Sequence, residues 1–285
     1  MQKKNTMSYR TILVHVDDSR RANERIKIAA NMALAEHAHL IGAAATGVSS
    51  TLNQIGSIDP IAQDLAIILD TLHERADHAL AEFETLVQRM GVTSFETRLV
   101  DDEAGGAISL QARYSDLVVI GQTDPAESTS IVARDFPEFV VMNSGRPVLI
   151  IPHAGQFVGV GKRPLIAWDA GTAAARAIAD AIPFLRHAGV VDVVVFNPDE
   201  PVGVHGEEPG ADIALYLARH DIKVNVRQQT ATIPIGNALL LLATELASDL
   251  IVMGGYGHAR LREILLGGVT RSALEYAIVP VLMSH

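Results

Sequence analysis

Cysteine is absent from this 285-residue chain. That excludes a disulfide framework, a thiolate nucleophile and a cysteine-based zinc site. Basic charge is scarce: 23 Lys and Arg face 33 Asp and Glu, a net charge of −10. Phosphate binding along a nucleic acid needs a basic face, so nucleic acid is excluded as the main partner. Long apolar runs are missing too. The longest uncharged stretches, 37–58 and 228–244, are broken by His37, His39, Asn53 and Gln54 and by Pro234, Gly236 and Asn237. Neither supplies the continuous apolar segment of about 20 residues that a bilayer demands. Residues 1–7 are basic but run into Ser8-Tyr9-Arg10, not into the apolar core of a secretory signal. The expectation is a globular chain without a membrane span, in a reducing cytoplasm.

An internal repeat organises what is present. Ser115-Asp116-Leu117-Val118-Val119-Ile120-Gly121 recurs as Ser248-Asp249-Leu250-Ile251-Val252-Met253-Gly254, 133 residues later. Arg146-Pro147-Val148-Leu149-Ile150 matches Val279-Pro280-Val281-Leu282-Met283 at the same offset. Near the start of each copy, Leu13-Val14-His15-Val16-Asp17 resembles Leu165-Ile166-Ala167-Trp168-Asp169, now 152 residues apart. Two copies of one unit explain this, the first with about 19 extra residues in its middle. They are expected over 8–153 and 161–285, joined by a linker near Pro152 to Lys162.

Each copy alternates short apolar runs with helical patterns. Strands are expected near 10–16, 39–46, 94–100, 117–121 and 147–151, then near 163–168, 190–196, 223–228, 250–254 and 279–283. Continuous runs such as Val193-Val194-Val195-Phe196 suit strands buried on both faces of a parallel sheet. Over 62–90, Leu65, Ile68, Leu69, Leu72, Ala76, Ala79, Leu80, Phe83, Leu86, Val87 and Met90 recur at helical spacing, as a face that packs on the sheet. The fold class is α/β: two tandem doubly wound, Rossmann-like parallel sheets of five strands, order 3-2-1-4-5.

Such a sheet binds ligands beyond the C-terminal ends of its first and fourth strands, where the winding reverses. First strands lead into Asp17-Asp18-Ser19 and Asp169-Ala170-Gly171-Thr172; fourth strands lead into Gly121-Gln122-Thr123-Asp124 and Gly254-Gly255-Tyr256-Gly257. In the second copy, glycines at 254, 257, 267 and 268 bracket a loop carrying His258, Arg260 and Arg262, before a helix expected to start near Gly268 and to include Arg271. Glycine lets backbone approach an anion, and the helix start offers unpaired N–H groups and the positive end of its dipole.

This arrangement resembles the universal stress protein family, in its tandem form, over essentially the whole chain. The family motif Gly-x2-Gly-x9-Gly-[Ser/Thr] is met by Gly254, Gly257 and Gly267, with Gly268 standing where a hydroxyl residue is expected. The resemblance implies an adenine nucleotide alpha hydrolase-like fold and an adenine nucleotide (ATP, ADP or AMP, with or without Mg2+) as cofactor. Asp169 would lie near the ribose, the main chain around Val195 near the adenine, and Gly254, Gly257, His258, Gly267, Gly268, Val269 and Thr270 around the phosphates. Thr270 is the candidate substitute for the missing hydroxyl. The resemblance also implies pairing of the two copies through their fifth strands, Pro147 to Ile151 and Pro280 to Met283, as an internal pseudo-dimer, and allows a homodimer.

The first copy departs from the motif. At the 133-residue offset, Gly257 becomes Asp124, Gly267 becomes Arg134, Gly268 becomes Asp135, Arg260 becomes Glu127 and Arg271 becomes Glu138. A triphosphate there meets carboxylates that repel it. Asp124-Pro125-Ala126-Glu127 reads instead as a helix start with its own cap. The first copy is therefore expected not to bind ATP in the family manner.

Other constellations point nowhere in particular. Eleven histidines are scattered, without the three or four convergent groups a metal needs. No Gly-x-Ser-x-Gly elbow is present, and Gly161-Lys162 is followed by Arg163, which excludes a P-loop. No residue stands out as a strong catalytic base, so binding and signalling rank above turnover. The alternative reading is an interaction scaffold, or a binder of another small ligand.

Overall fold

The computed structural model describes residues 8–48, 63–127, 132–157, 159–199, 208–256 and 268–285. The chain divides into two compact units, one over Tyr9–Arg146 and the other over Pro147–His285.

In the first unit, β1 (Thr11–His15), β2 (His39–Ala45), β3 (Phe95–Val100) and β4 (Leu117–Gly121) form a parallel sheet in the order β3-β2-β1-β4. Helices α1 (Ala22–Glu36), α2 (Gln63–Arg89), α3 (Ala104–Ala112) and α4 (Phe136–Asn143) alternate with the strands or follow them. The unbroken apolar runs explain the topology. Ile12, Leu13 and Val14 of β1 and Leu117 to Ile120 of β4 are fully buried, as strands covered on both faces must be. On α2 the expected stripe packs from Ala76 onward: Ala76, Ala79, Leu80, Phe83 and Val87 are buried. Phe83 lies flat over Gly42 of β2, where a Cβ would stand 2.6 Å from its ring. Nearer the start of the helix the stripe does not hold, since Ile68 is 55% exposed.

The second unit contains β5 (Val148–Ile151), β6 (Pro164–Ala167), β7 (Val191–Phe196), β8 (Val224–Gln229), β9 (Leu250–Gly254) and β10 (Val281–Ser284). Its helices are α5 (Thr172–Leu185), α6 (Ala211–Ala218), α7 (Ile235–Glu245) and α8 (Gly268–Tyr276). Strands β8-β7-β6-β9-β10 reproduce the expected parallel order. One detail differs. The fifth strand of the first repeat, β5, belongs to this unit and pairs antiparallel with β10, in the register Val148↔Met283, Leu149↔Leu282 and Ile150↔Val281. The boundary between the compact units thus falls before the fifth strand of the first repeat, while the strand order keeps the expected 3-2-1-4-5 pattern; all four residues of β5 are buried, and β10 offers it an equally apolar edge.

The repeated Ser-Asp before β4 and β9 has a shared structural task. Asp116 Oδ2 accepts the backbone N–H groups of Arg10 (2.7 Å) and Thr11 (3.0 Å). Asp249 accepts those of Lys162 and Arg163, both at 2.8 Å. Each carboxylate therefore ties the entrance of the fourth strand of a repeat to that of the first. Hydrogen bonds to a charged group contribute more than neutral ones, but these are partly hydrated, so Asp249→Ala should cost about 1–2 kcal/mol. A urea midpoint unchanged from the parent would show that the carboxylate is idle.

Among the described residues, no helix is long and apolar enough to cross a membrane.

Candidate functional site

In Pro147–His285 the switch point lies between β6 and β9. Strand β6 ends at Ala167, and the chain turns through Trp168, the exposed Asp169 and Ala170, whose φ is +60°. Asp169 Oδ1 accepts the Gly171 N–H at 2.8 Å, which fixes the turn that opens α5. Strand β9 ends at Gly254, and the start of α5 lies directly on it. A Cβ at 254 would stand 2.5 Å from the backbone nitrogen of Ala174 and 2.8 Å from the carbonyl carbon of Ala173. Glycine at this position is thus required by packing of a helix against a strand end, whatever else approaches it. Beyond it, the Gly255 N–H donates to the Ser284 carbonyl at 2.9 Å.

The helix expected near Gly268 is present as α8. A Cβ at Gly268 would meet nothing within 4 Å among the described residues. Thr270 is buried, and its Oγ1 accepts the Tyr256 N–H at 3.3 Å. That bond joins the first turn of α8 to the end of the β9 loop. Val269 is packed by its backbone: a Cβ on Gly236 of α7 would come 3.1 Å from its Cα. Val195 is fully buried in β7, in register with Gln228 of β8, and the neighbouring Val194 carbonyl accepts the Trp168 N–H at 2.9 Å. The structure therefore brings the ends of β6 and β9 together at Gly254, and links Tyr256 to α8 through Thr270. Gly257, His258 and Gly267, with Arg260 and Arg262, lie outside the described residues.

The equivalent crevice of Tyr9–Arg146 is built differently. Arg25 of α1 is only 3% exposed and reaches under the strand ends. Its Nε donates to the His15 carbonyl at 2.7 Å, and its Nη2 to Asp17 Oδ1 at 2.8 Å. Asp17 Oδ1 also accepts the Ser19 N–H at 3.1 Å and the Ser19 hydroxyl at 2.5 Å. A Cβ on Gly121, at the end of β4, would stand 2.5 Å from Arg25 Nη1. The guanidinium thus lies across the gap between β1 and β4. Burial would raise the pKa of Asp17, but the Arg25 charge, with His15 and the Ser19 hydroxyl, holds the carboxyl well below the usual carboxylate range. Burial pushes the His15 imidazole down to about 4, against the pull of Asp17, so it is neutral near pH 7. His15 packs on Phe136 with ring centroids 4.7 Å apart, and its Nδ1 stands 3.5 Å from Asp17 Oδ2. Helix α2 is fastened beside this cluster. Arg75 donates to Asp18 through Nε (2.9 Å) and Nη2 (2.5 Å), and His73 Nε2 meets Asp101 at 2.6 Å. What remains open is a cavity of about 70 Å³ bordered by His15, Asp17, Ser19, Leu72, Arg75 and Glu127, among others.

Residues 162–285 match the family model for the universal stress protein family. Over that segment the chain is similar to the universal stress protein family. Solved structures share the fold over nearly the full length. A universal stress protein from Archaeoglobus fulgidus DSM 4304 is 18% identical, with a TM-score of 0.70, over 96% of this chain and 97% of that one. A functionally unknown protein from Pseudomonas aeruginosa PAO1 is 16% identical, with a TM-score of 0.61, over 97% of this chain and 92% of that one. A putative universal stress protein from Pseudomonas aeruginosa UCBPP-PA14 is 16% identical, with a TM-score of 0.59, over 97% and 93%. No curated protein matches.

Within Pro147–His285, sequence reasoning found the strand ends and the start of α8. In the other unit it missed Arg25 and His15. A signal was available: Arg25 falls on the same helical face as Ala22, Ile26, Ala29 and Ala33, all buried, where an unpaired charge is not tolerated. The expected helix start at Asp124 is absent among the described residues. Asp124 Oδ1 accepts the Ala126 N–H at 2.8 Å, and the Glu127 N–H bonds back to the Asp124 carbonyl; residues 128–131, which would continue the helix, lie outside the described residues. Among the described residues, no group of three or more His, Asp or Glu converges to hold a metal.

Proposed function

We propose that the universal stress protein-like unit, Pro147–His285, binds an adenine nucleotide in the cytoplasm as part of a stress response. One observation carries the reading. The ends of β6 and β9 meet at Gly254, under the first turn of α5, in the half that matches the family model. The first N–H groups of α5 and of α8 are unpaired within their helices and favour a negative group. Asp169 is exposed at the start of α5 as an acceptor for a ribose hydroxyl, and Gly268 adds no side chain at the start of α8. The bound nucleotide would bring the phosphates that regulate or signal; with no strong base at the site, the unit holds them rather than cleaving them. Mg2+ would enter with the nucleotide. Pairing of the two repeats runs, in this reading, through their fifth strands, a view supported by the antiparallel ladder of β5 and β10.

Trp168 precedes Asp169 and is the sole tryptophan, so its fluorescence reports on this site. Titration with ATP and Mg2+, then with ADP and AMP, should give a saturable change with one nucleotide per chain. Gly257→Asp, which copies the first repeat, should abolish it. The reading fails if none of the three nucleotides binds at millimolar concentration.

A further inference from the structure

The two repeats answer one problem, what to place between the ends of the first and fourth strands, in opposite ways. In Pro147–His285 the side chains there are minimal. At the 152-residue offset His15, Ser19 and Arg25 become Ala167, Gly171 and Ala177, and the backbone of α5 lies on Gly254. In Tyr9–Arg146 the corresponding Gly121 is covered by a guanidinium. We infer that Arg25 is a resident counter-ion that occupies the ligand crevice of the first repeat, so that this repeat is closed by its own side chain. The inference concerns the other unit and stands whether or not Pro147–His285 binds a nucleotide.

Three features carry it. The first is position: Arg25 reaches the carbonyl at the end of β1 and occupies the space that a Cβ on Gly121 would take at the end of β4, the two strand ends that flank ligands in open parallel sheets. Next comes satisfaction. Nε takes the His15 carbonyl and Nη2 takes Asp17 Oδ1, the paired geometry that a planar guanidinium holds and an ammonium does not. Asp17, the aspartate whose counterpart Asp169 is exposed, is thereby already neutralised. The third is volume. The remaining cavity of about 70 Å³ is far below the roughly 300–1,000 Å³ of small-molecule sites. That cavity lies on the α2 side of Asp17, with neither Arg25 nor Gly121 in its lining, and withdrawal of Arg25 would strand a half-buried carboxylate. Position 25 thus closes this crevice separately from the loop differences at 124, 134 and 135.

The test is to remove the side chain and give back only its head. In full-length Arg25→Ala, the melting midpoint of the first unit should fall by several degrees. Millimolar methylguanidinium should then raise it saturably, by filling the vacated place. Methylguanidinium should not raise it in the parent, whose crevice is already filled, nor in Asp17→Asn/Arg25→Ala, which lacks the carboxylate. The inference is overturned if Arg25→Ala melts with the parent, if methylguanidinium leaves Arg25→Ala unchanged, or if the parent or the double variant responds as strongly as Arg25→Ala. Should Arg25→Ala not fold, the double variant decides. A folded double variant supports a charge-paired plug, and failure of both shows that Arg25 is needed for bulk and overturns the counter-ion assignment.

Discussion

Gly254→Ala is expected to destabilise Pro147–His285 by about 3 kcal/mol, at the upper end of what overpacking costs. The added methyl would stand 2.5 Å from the Ala174 nitrogen and 2.8 Å from the Ala173 carbonyl carbon. Both are backbone atoms in the first turn of α5, so no rotamer change relieves the clash, and the helix must lift from the sheet. Gly121→Ala makes a telling contrast. Its methyl would also fall 2.5 Å from a neighbour, but that neighbour is Nη1 of Arg25, at the tip of a flexible side chain. The cost there should be clearly smaller, since the guanidinium can tilt. Urea unfolding of the two variants measures the difference. Equal losses would mean that α5 yields as easily as a side chain, which close packing of a helix on a strand end forbids.

Acidification from pH 7 to pH 4 should remove about 3 kcal/mol of stability from Tyr9–Arg146 through His15 alone, at 1.36 kcal/mol per pKa unit. In the folded chain the imidazole titrates at about 4, in the unfolded chain at about 6.5. Between those values the unfolded chain takes up a proton that the folded chain refuses, so stability falls as pH falls. Asp17 acts in a lower window. Its folded pKa is depressed, so its contribution persists above the unfolded carboxylate value near 4 and is lost only below it. Because many carboxylates weaken a protein in acid, the diagnostic is the difference between the parent and His15→Gln, which cannot take up the proton. The parent curve should be steeper between pH 6.5 and 4. Parallel curves would place His15 in contact with water, against its 2% exposure.

How much of this was legible in the sequence divides by physical cause. The strands were, because they are buried on both faces and so appear as unbroken apolar runs. Leu250-Ile251-Val252-Met253-Gly254 is expected and found with the same bounds. The long helix α2 was legible for the part that packs, where Ala76, Ala79, Phe83 and Val87 keep a helical period. Ile68 continues the expected stripe without a surface to cover among the described residues, so composition misled there. Beside the crevice, glycine spacing pointed to the strand ends but not to the reason for Gly254. That reason is the close approach of a helix from elsewhere in the chain, which spacing does not encode. Arg25 was hidden because its partner is in a strand ten residues away, and a charge on an apolar helix face makes sense only once that partner is placed.

The placement of β5 has a practical sequel for dissecting the chain. Strand edges left uncovered are templates for other strands. In Pro147–His285, β5 covers the outer edge of β10 with main-chain hydrogen bonds in the register Leu149↔Leu282. A fragment cut at the apparent repeat boundary, near residue 161, would discard β5 and bare that edge. It should associate with itself or precipitate more readily in sedimentation than a fragment starting at Pro147, which keeps the β5–β10 ladder. The unit that folds and the unit that was duplicated therefore do not begin at the same residue.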